Sequence, residues 1–320
     1  MYIYVVVRSR CGLDGLATPS FHFSKFGSTW EYYQVSTVND EKMKRIRAVC
    51  IVILATNFSP AKYSALLSYM TSAFLENGST LSVMRAYLSV FTSGKVERES
   101  SEGPQSFTMK AFQDKRALIS EVKPIFSTFG METVLIWVAI LLKKRIFVHS
   151  SSVSQLMSVV RSFPLIGGWH RQSWDIIRPL VSASDASLEL KDLEAAGVYV
   201  AGFTDANAAD LESHYDLYCD FTNSTITVAP HAQADFRLAR FHQQTITAFL
   251  KATEAGDDAS VIKVMAQKTK ELLDTLKKLC VQAEDESLII TMENLAERGL
   301  PPNMDTFLFN VARAEGLTQR

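Results

Sequence analysis

Residues 129 to 148 read FGMETVLIWVAILLKKRIFV. The uninterrupted apolar run extends only from Val134 to Leu142, whereas the hydrocarbon core of a bilayer takes about 20 residues to span. The spacing predicts a core helix of roughly 14 residues, Met131 to Lys144, apolar all round and so buried on more than one side. Lys143, Lys144 and Arg145 fall where cations favour a helix C-terminus. Ile146, Phe147 and Val148 then form a β-branched and aromatic run suited to a strand buried on both faces. A helix running straight into such a strand is the pattern of helices packed on a parallel sheet.

Moving outward, helix and strand signals alternate from about Lys115 to Pro230: the strand at 146 to 149, a helix near 153 to 163, and apolar runs at 176 to 181, 198 to 203, 217 to 221 and 225 to 229. This alternation predicts a central α/β sheet module over 115–230. Beyond Pro230 the strand signals stop, and 231 to 253, 258 to 280, 286 to 298 and 303 to 315 read as helices, a helical module over 231–320. Upstream, Trp30 to Thr37 and Ala48 to Ala55 read as strands. Ser59-Pro60 is a helix start, Asn77-Gly78 its end, and a second helix runs from Thr80 to Phe91. These elements form an α/β module over 1–94. Residues 94 to 105, GKVERESSEGPQ, are charged and polar and read as a mobile linker, which sets 95–114 apart as a connecting segment.

The 320 residues are 47% hydrophobic and 21% charged, enough to bury a sizeable core split over two or three domains. A net charge of −1 supplies no basic field for nucleic acid. Cys11, Cys50, Cys219 and Cys280 lie far apart, without zinc-ligand spacing, and read as small hydrophobes of a reducing compartment. MYIYVVV lacks the basic start and cleavage site of a secretory signal, so a location in the cytoplasm or on the cytoplasmic face of a membrane is expected.

Motifs for bond-making chemistry are missing from the sequence. It contains neither a P-loop nor a dinucleotide fingerprint, and no G-x-S-x-G elbow. Its histidines form no H-x-H or H-x-x-x-H pair; His149 and His170 read as packed or hydrogen-bonded residues. The acidic residues Asp205, Asp210, Glu212, Asp216 and Asp220 lack the order of a calcium loop. The expectation is a protein without metal, cofactor or catalytic residues.

Four stretches carry an identity: FGMETVLIWVAILLKKRIFV, WHRQSW at 169 to 174, GVYVAGFTD at 197 to 205 and STITVAP at 224 to 230. With FGSTWEYYQV at 26 to 35, NFSPAKY at 57 to 63 and LPPNMDTFLFNVARAE at 300 to 315, the chain resembles the DENN-domain family from about residue 8 almost to its C-terminus. The resemblance implies a DENN fold of three parts: a longin-like α/β module, a central α/β sheet module and a C-terminal all-helical module. It places helix where MYIYVVV reads as strand, with further strands ahead of it. Trp30 to Thr37 would then be an unpaired edge, and the start would lie upstream or the chain be a shortened homologue.

The resemblance further implies a guanine-nucleotide exchange factor for a Rab small GTPase, with the GTPase surface drawn from the longin and central modules. The branch it matches is linked to the Rab twenty-seven subfamily, to late endosomes and multivesicular bodies, and to the coiled-coil subunits of the endosomal Commander assembly. A non-exchanging scaffold of that assembly is the alternative. The matching motifs contain Met131, Glu132, Lys143, Lys144, Arg145, Trp169, His170, Arg171, Gln172 and Trp174. Met131 is expected to pack, Glu132 to favour a helix start, and Trp169 and Trp174 to anchor their loop with His170 through buried area. Partner contact is expected from Lys143, Lys144, Arg145, Arg171 and Gln172, whose long polar side chains suit an acidic protein surface.

Overall fold

A computed structural model describes residues 2–6, 20–38, 48–101, 103–112, 121–168, 173–183, 188–282, 288–301 and 303–318. The chain is of the mixed α/β class and divides into two compact units, Met1–Ile119 and Ser120–Arg320. Residues 231–320, read as a module of their own, belong to the same compact unit as the sheet before them.

The first unit is built on an antiparallel sheet of β1 (Tyr2–Val6), β2 (Ser20–Phe26), β3 (Thr29–Thr37) and β4 (Ala48–Ala55), in spatial order β1-β4-β3-β2. Within MYIYVVV the strand reading holds over the described residues Tyr2–Val6, with Tyr2 opposite Leu54 and Val6 opposite Cys50. The expected open edge at Trp30 to Thr37 does not hold, because β3 lies between β2 and β4. β2 joins β3 through a tight turn at Gly27, whose φ of 56° suits a residue without a side chain. Along β3 burial alternates: Trp30, Tyr32, Gln34 and Ser36 point inward, in register with Ala55, Ile53, Ile51 and Val49 of β4.

That face packs on α1 (Pro60–Asn77) through Tyr63, Leu66, Leu67, Met70 and Phe74. Pro60 occupies the first turn, where its missing N–H costs nothing. Ser59 makes no side-chain cap; its N–H donates to the Tyr32 hydroxyl at 2.9 Å, and Tyr32 stacks on Tyr63 at 4.3 Å. Gly78, left-handed at φ 66°, closes the helix on the Phe74 carbonyl. α2 (Thr80–Ser93) starts on a Ser79 cap and ends at left-handed Gly94.

The expected linker at 95–114 is instead largely a hairpin. β5 (Lys95–Ser100) pairs with β6 (Gly103–Thr108), and Phe107 is buried. Arg98 ties it to α1: its guanidinium donates to Ser72 at 2.6 Å, pairs with Glu76 and lies 5.5 Å from the Tyr69 ring.

In the second unit the opening motif begins earlier than its spacing predicts and ends sooner. α3 (Lys123–Phe129) passes through a 3-10 turn at Gly130–Glu132 into α4 (Thr133–Leu141). The span Lys123–Leu141 is long and apolar enough to cross a membrane by length and composition, but it is the one such helix among the described residues and most of it is buried. Trp137 is fully enclosed and donates its indole N–H to Thr269 at 3.0 Å. Past Leu141, the Lys144 N–H reaches the Ala139 carbonyl at 2.9 Å and the Lys143 N–H reaches Ile140 at 3.3 Å, with Lys143 left-handed at φ 53°. This is a Schellman turn with lysine where glycine is usual.

The turn delivers β7 (Ile146–His149) to the centre of a five-stranded sheet. After β7 come α5 (Val153–Val160), α6 (Phe163–Ile166), β8 (Ile177–Arg178), α7 (Leu188–Ala196), β9 (Val200–Phe203), β10 (Leu217–Asp220) and β11 (Thr225–Val228). The order is β11-β10-β7-β9-β8, parallel except for the β10 to β11 hairpin. All residues of β7, β9 and β10 are buried, as strands covered on both faces require. Gly202 permits the closest approach: a Cβ there would lie 2.4 Å from the Pro179 carbonyl.

The rest is mainly helical: α8 (Arg240–Ala255), α9 (Asp258–Leu279), α10 (Met292–Ala296) and α11 (Met304–Ala314). A short strand pair, β12 (Val281–Gln282) with β13 (Leu288–Ile289), interrupts the region read as wholly helical. Trp137 meets Phe249 of α8 edge-on at 5.9 Å and Phe307 of α11 at 6.4 Å, so the apolar helix α4 holds these helices to the sheet.

Candidate functional site

The sequence points first to the basic knot, and there the structure places partners from within the chain. The Lys143 ammonium donates to the Ala314 carbonyl at the end of α11. Lys144 pairs with Asp235, which also accepts from Asn310 at 2.9 Å. Arg145 binds Asp216 through its own N–H at 2.8 Å and through Nη2 at 2.9 Å, and Nη1 donates to the Ser213 carbonyl at 2.7 Å. His231 Nε2 lies 3.0 Å from Asp216 and 2.9 Å from Arg145, accepting from one or donating to the other by tautomer.

Burial pushes the Asp216 carboxyl up, but hydrogen bonds from Arg145 and His231 outweigh it and leave the group below its ordinary value. The Asp216 bond raises the Arg145 guanidinium in turn. Tyr199, beside this cluster, is pushed up to about 12 chiefly by burial. The geometry is a clamp joining the end of α4 to the start of β10 and to α11. It accounts for all three cations without an external anion.

The remaining sequence-derived residues divide. Met131 is 51% exposed, so it does not pack as expected. It stands in the 3-10 turn after Gly130, which rotates it off the buried face. Glu132 directly precedes α4 and makes no cap hydrogen bond. Trp174 is half-buried and opens a 3-10 turn. Trp169, His170, Arg171 and Gln172 lie outside the described residues. His149 is buried and its Nδ1 lies 3.0 Å from Asp220, a hydrogen-bonded residue as read. Among the described residues no group of His, Cys, Asp or Glu is placed to hold a metal ion.

A second surface, in the first unit, was not singled out by sequence reasoning. α2 buries Val83, Ala86 and Val90 against its own unit and turns Leu81, Met84, Leu88 and Phe91 outward, at 57%, 45%, 51% and 67% exposure. Their 3-4-3 spacing makes one stripe along the helix. Beside it runs a groove of about 330 Å³ lined by Asn57, Lys62, Tyr63, Leu66, Phe107 and Met109, with Val90 and Phe91 as its α2 wall. Single exposed apolar residues are ordinary, but a contiguous row of large ones marks an interaction site. The signal that could have found it is the double periodicity of Thr80 to Phe91, which has one apolar stripe more than a helix on a single core needs.

The family described as Stabilization of polarity axis matches residues 120–230, which begin where the second unit begins and end after β11. DENN domain-containing protein 10 of Dictyostelium discoideum is 36% identical over 317 residues, covering 93% of this chain and 85% of that protein. Its namesake in Danio rerio is 32% identical, covering 98% and 89%, and that in Homo sapiens 31%, covering 92% and 82%. Likeness of this extent, running through both units, shows that the chain belongs to the DENN domain-containing protein 10 family.

Proposed function

We propose that this protein is a guanine-nucleotide exchange factor for a Rab small GTPase, of Rab twenty-seven type, working from the cytoplasm on late endosomes and multivesicular bodies. The observation that carries the reading is family membership over nearly the whole chain. In this reading the first unit is the longin-like module, residues 120–230 the central DENN module and 231–320 the downstream helical one. Exchange breaks no covalent bond: the factor binds the nucleotide-free GTPase more tightly than the GDP-bound one, and that difference in affinity speeds release. Neither cofactor nor catalytic constellation is required.

Of the contact residues read from the sequence, Arg171 and Gln172 are the ones put to the test here. Lys143, Lys144 and Arg145 already have partners within the chain. The test is release of a fluorescent GDP analogue from a panel of Rab proteins. At least one Rab should release GDP faster in the presence of the protein, and Arg171→Glu should reduce that acceleration while leaving the melting temperature unchanged. If a folded sample accelerates no Rab, the exchange reading falls and the Commander scaffold, tested by co-purification of coiled-coil subunits, replaces it.

A further inference from the structure

The stripe on α2 specifies more than a sticky surface. Leu81, Met84, Leu88 and Phe91 recur at intervals of three, four and three, the spacing with which one helix meets another along a shared seam. At about 1.5 Å per residue the row is roughly 15 Å long, three turns of a partner helix. The adjacent groove supplies a place for that helix's larger side chains, with Tyr63, Leu66 and Phe107 as lining and Met109, itself exposed, at its rim.

Charge narrows the occupant. Arg85 flanks the stripe on α2, Lys62 lines the groove on the other side and Lys110 follows Met109. Among the described residues none of these three cations has an ion pair; Lys62 makes only a ring contact, 4.3 Å over Tyr63. A second copy of this chain laid on the stripe would bring like charges together, whereas carboxylates beside an apolar seam would meet all three.

We infer that the outer face of α2 and its groove bind an acidic amphipathic α-helix of another protein, apolar along one seam and carrying Asp or Glu on both flanks. This is helix-in-groove recognition. It goes beyond nucleotide exchange and does not rest on it.

The probe is a labelled helical peptide with leucines at 3-4-3 spacing flanked by glutamates, titrated against the full chain by fluorescence anisotropy, beside the same peptide flanked by lysines. The acidic peptide should bind with Kd on the order of 10 μM, and added salt should weaken it. The lysine peptide should bind at least about tenfold more weakly, and Leu88→Asp should cost about tenfold or more. Met84→Asp is the second variant, to be used should Leu88→Asp lower the melting temperature. GDP release from any responsive Rab should be unchanged by either substitution.

Equal binding of the two peptides, or none, overturns the proposal. So does light scattering that shows a dimer dissolved by Leu88→Asp, which would make the occupant a second copy. Loss of exchange in the same variants would assign the face to the GTPase and overturn it as well. Failure of exchange in the unaltered protein, with peptide binding intact, would remove only the exchange reading.

Discussion

The knot at Lys143 to Arg145 and the stripe at Leu81 to Phe91 make an instructive pair, one in each unit. Three adjacent cations look like a site for an acidic partner, yet each meets an oxygen of its own chain: Ala314, Asp235, Asp216. Four apolar residues spread over a helix look like core, yet all four are exposed. A charged cluster next to a buried strand is usually held by its own fold, because partly buried charges need partners. An apolar row left exposed among the described residues carries a cost in water that a partner would remove.

Removing a partner from the knot should therefore be the most damaging change. Asp216 is 10% exposed in its side chain and accepts from Arg145, with His231 Nε2 3.0 Å away. Asp216→Ala strands a half-buried guanidinium and should lower unfolding free energy by about 3 kcal/mol, read from urea denaturation. Asp216→Asn, which keeps shape and some hydrogen bonds, should cost clearly less. Equal, small losses for both would mean that the knot is free after all.

The inward organisation of the second unit also predicts a pH dependence. His242 is buried, its Nδ1 accepts from the Ala239 N–H at 2.9 Å, and Nε2 has no hydrogen-bond partner among the described residues. Burial holds it down to about 4 from an ordinary 6.5. Between these values the unfolded chain takes up a proton that the folded one refuses. Stability from this residue is complete above pH 6.5 and is lost as pH falls toward 4, by about 3 kcal/mol at most. The slope of unfolding free energy over that window should flatten in His242→Asn, whatever that substitution costs at neutral pH.

How much of this was legible in sequence depended on which physical effect set each element. Ala48 to Ala55 and Pro60 to Asn77 were readable to the residue, because an apolar run and the proline and glycine that bound a helix are local signals. The β5 to β6 hairpin was not: Lys95 to Ser106 carries almost no apolar residues, and what holds it is distant, with Arg98 reaching Ser72 and Glu76. β2 was missed although Gly27-Ser28 between two aromatic-rich stretches is a hairpin signal. At the site, the sequence marked Lys143 to Arg145 as charged but not what they meet, since Asp216 and Asp235 lie far along the chain. Periodicity placed α2 but could not say which of its two apolar stripes would be covered.

A smaller effect is expected at Lys143, whose left-handed backbone costs a residue with a Cβ about 1 kcal/mol that glycine avoids. Lys143→Gly gives up a half-exposed ammonium, worth little on a surface, so the net change should be a small rise in melting temperature. A fall of several degrees would show that the tie to Ala314 matters more than the strain of the turn.

The smallest effect should come from the stripe itself. Leu88 is half exposed, so Leu88→Asp removes little buried area, and exposed substitutions away from special features usually stay within about 0.5 kcal/mol. Aspartate has modest helix propensity, and placed two turns into α2 it is past the end where the helix dipole would favour it. Against that, it sits one turn from Arg85 and adds a weak favourable charge pair. These terms nearly cancel, and urea denaturation should not separate the variant from the unaltered protein. A loss above about 1.5 kcal/mol would put Leu88 in a packed environment and erase the contrast between the two units.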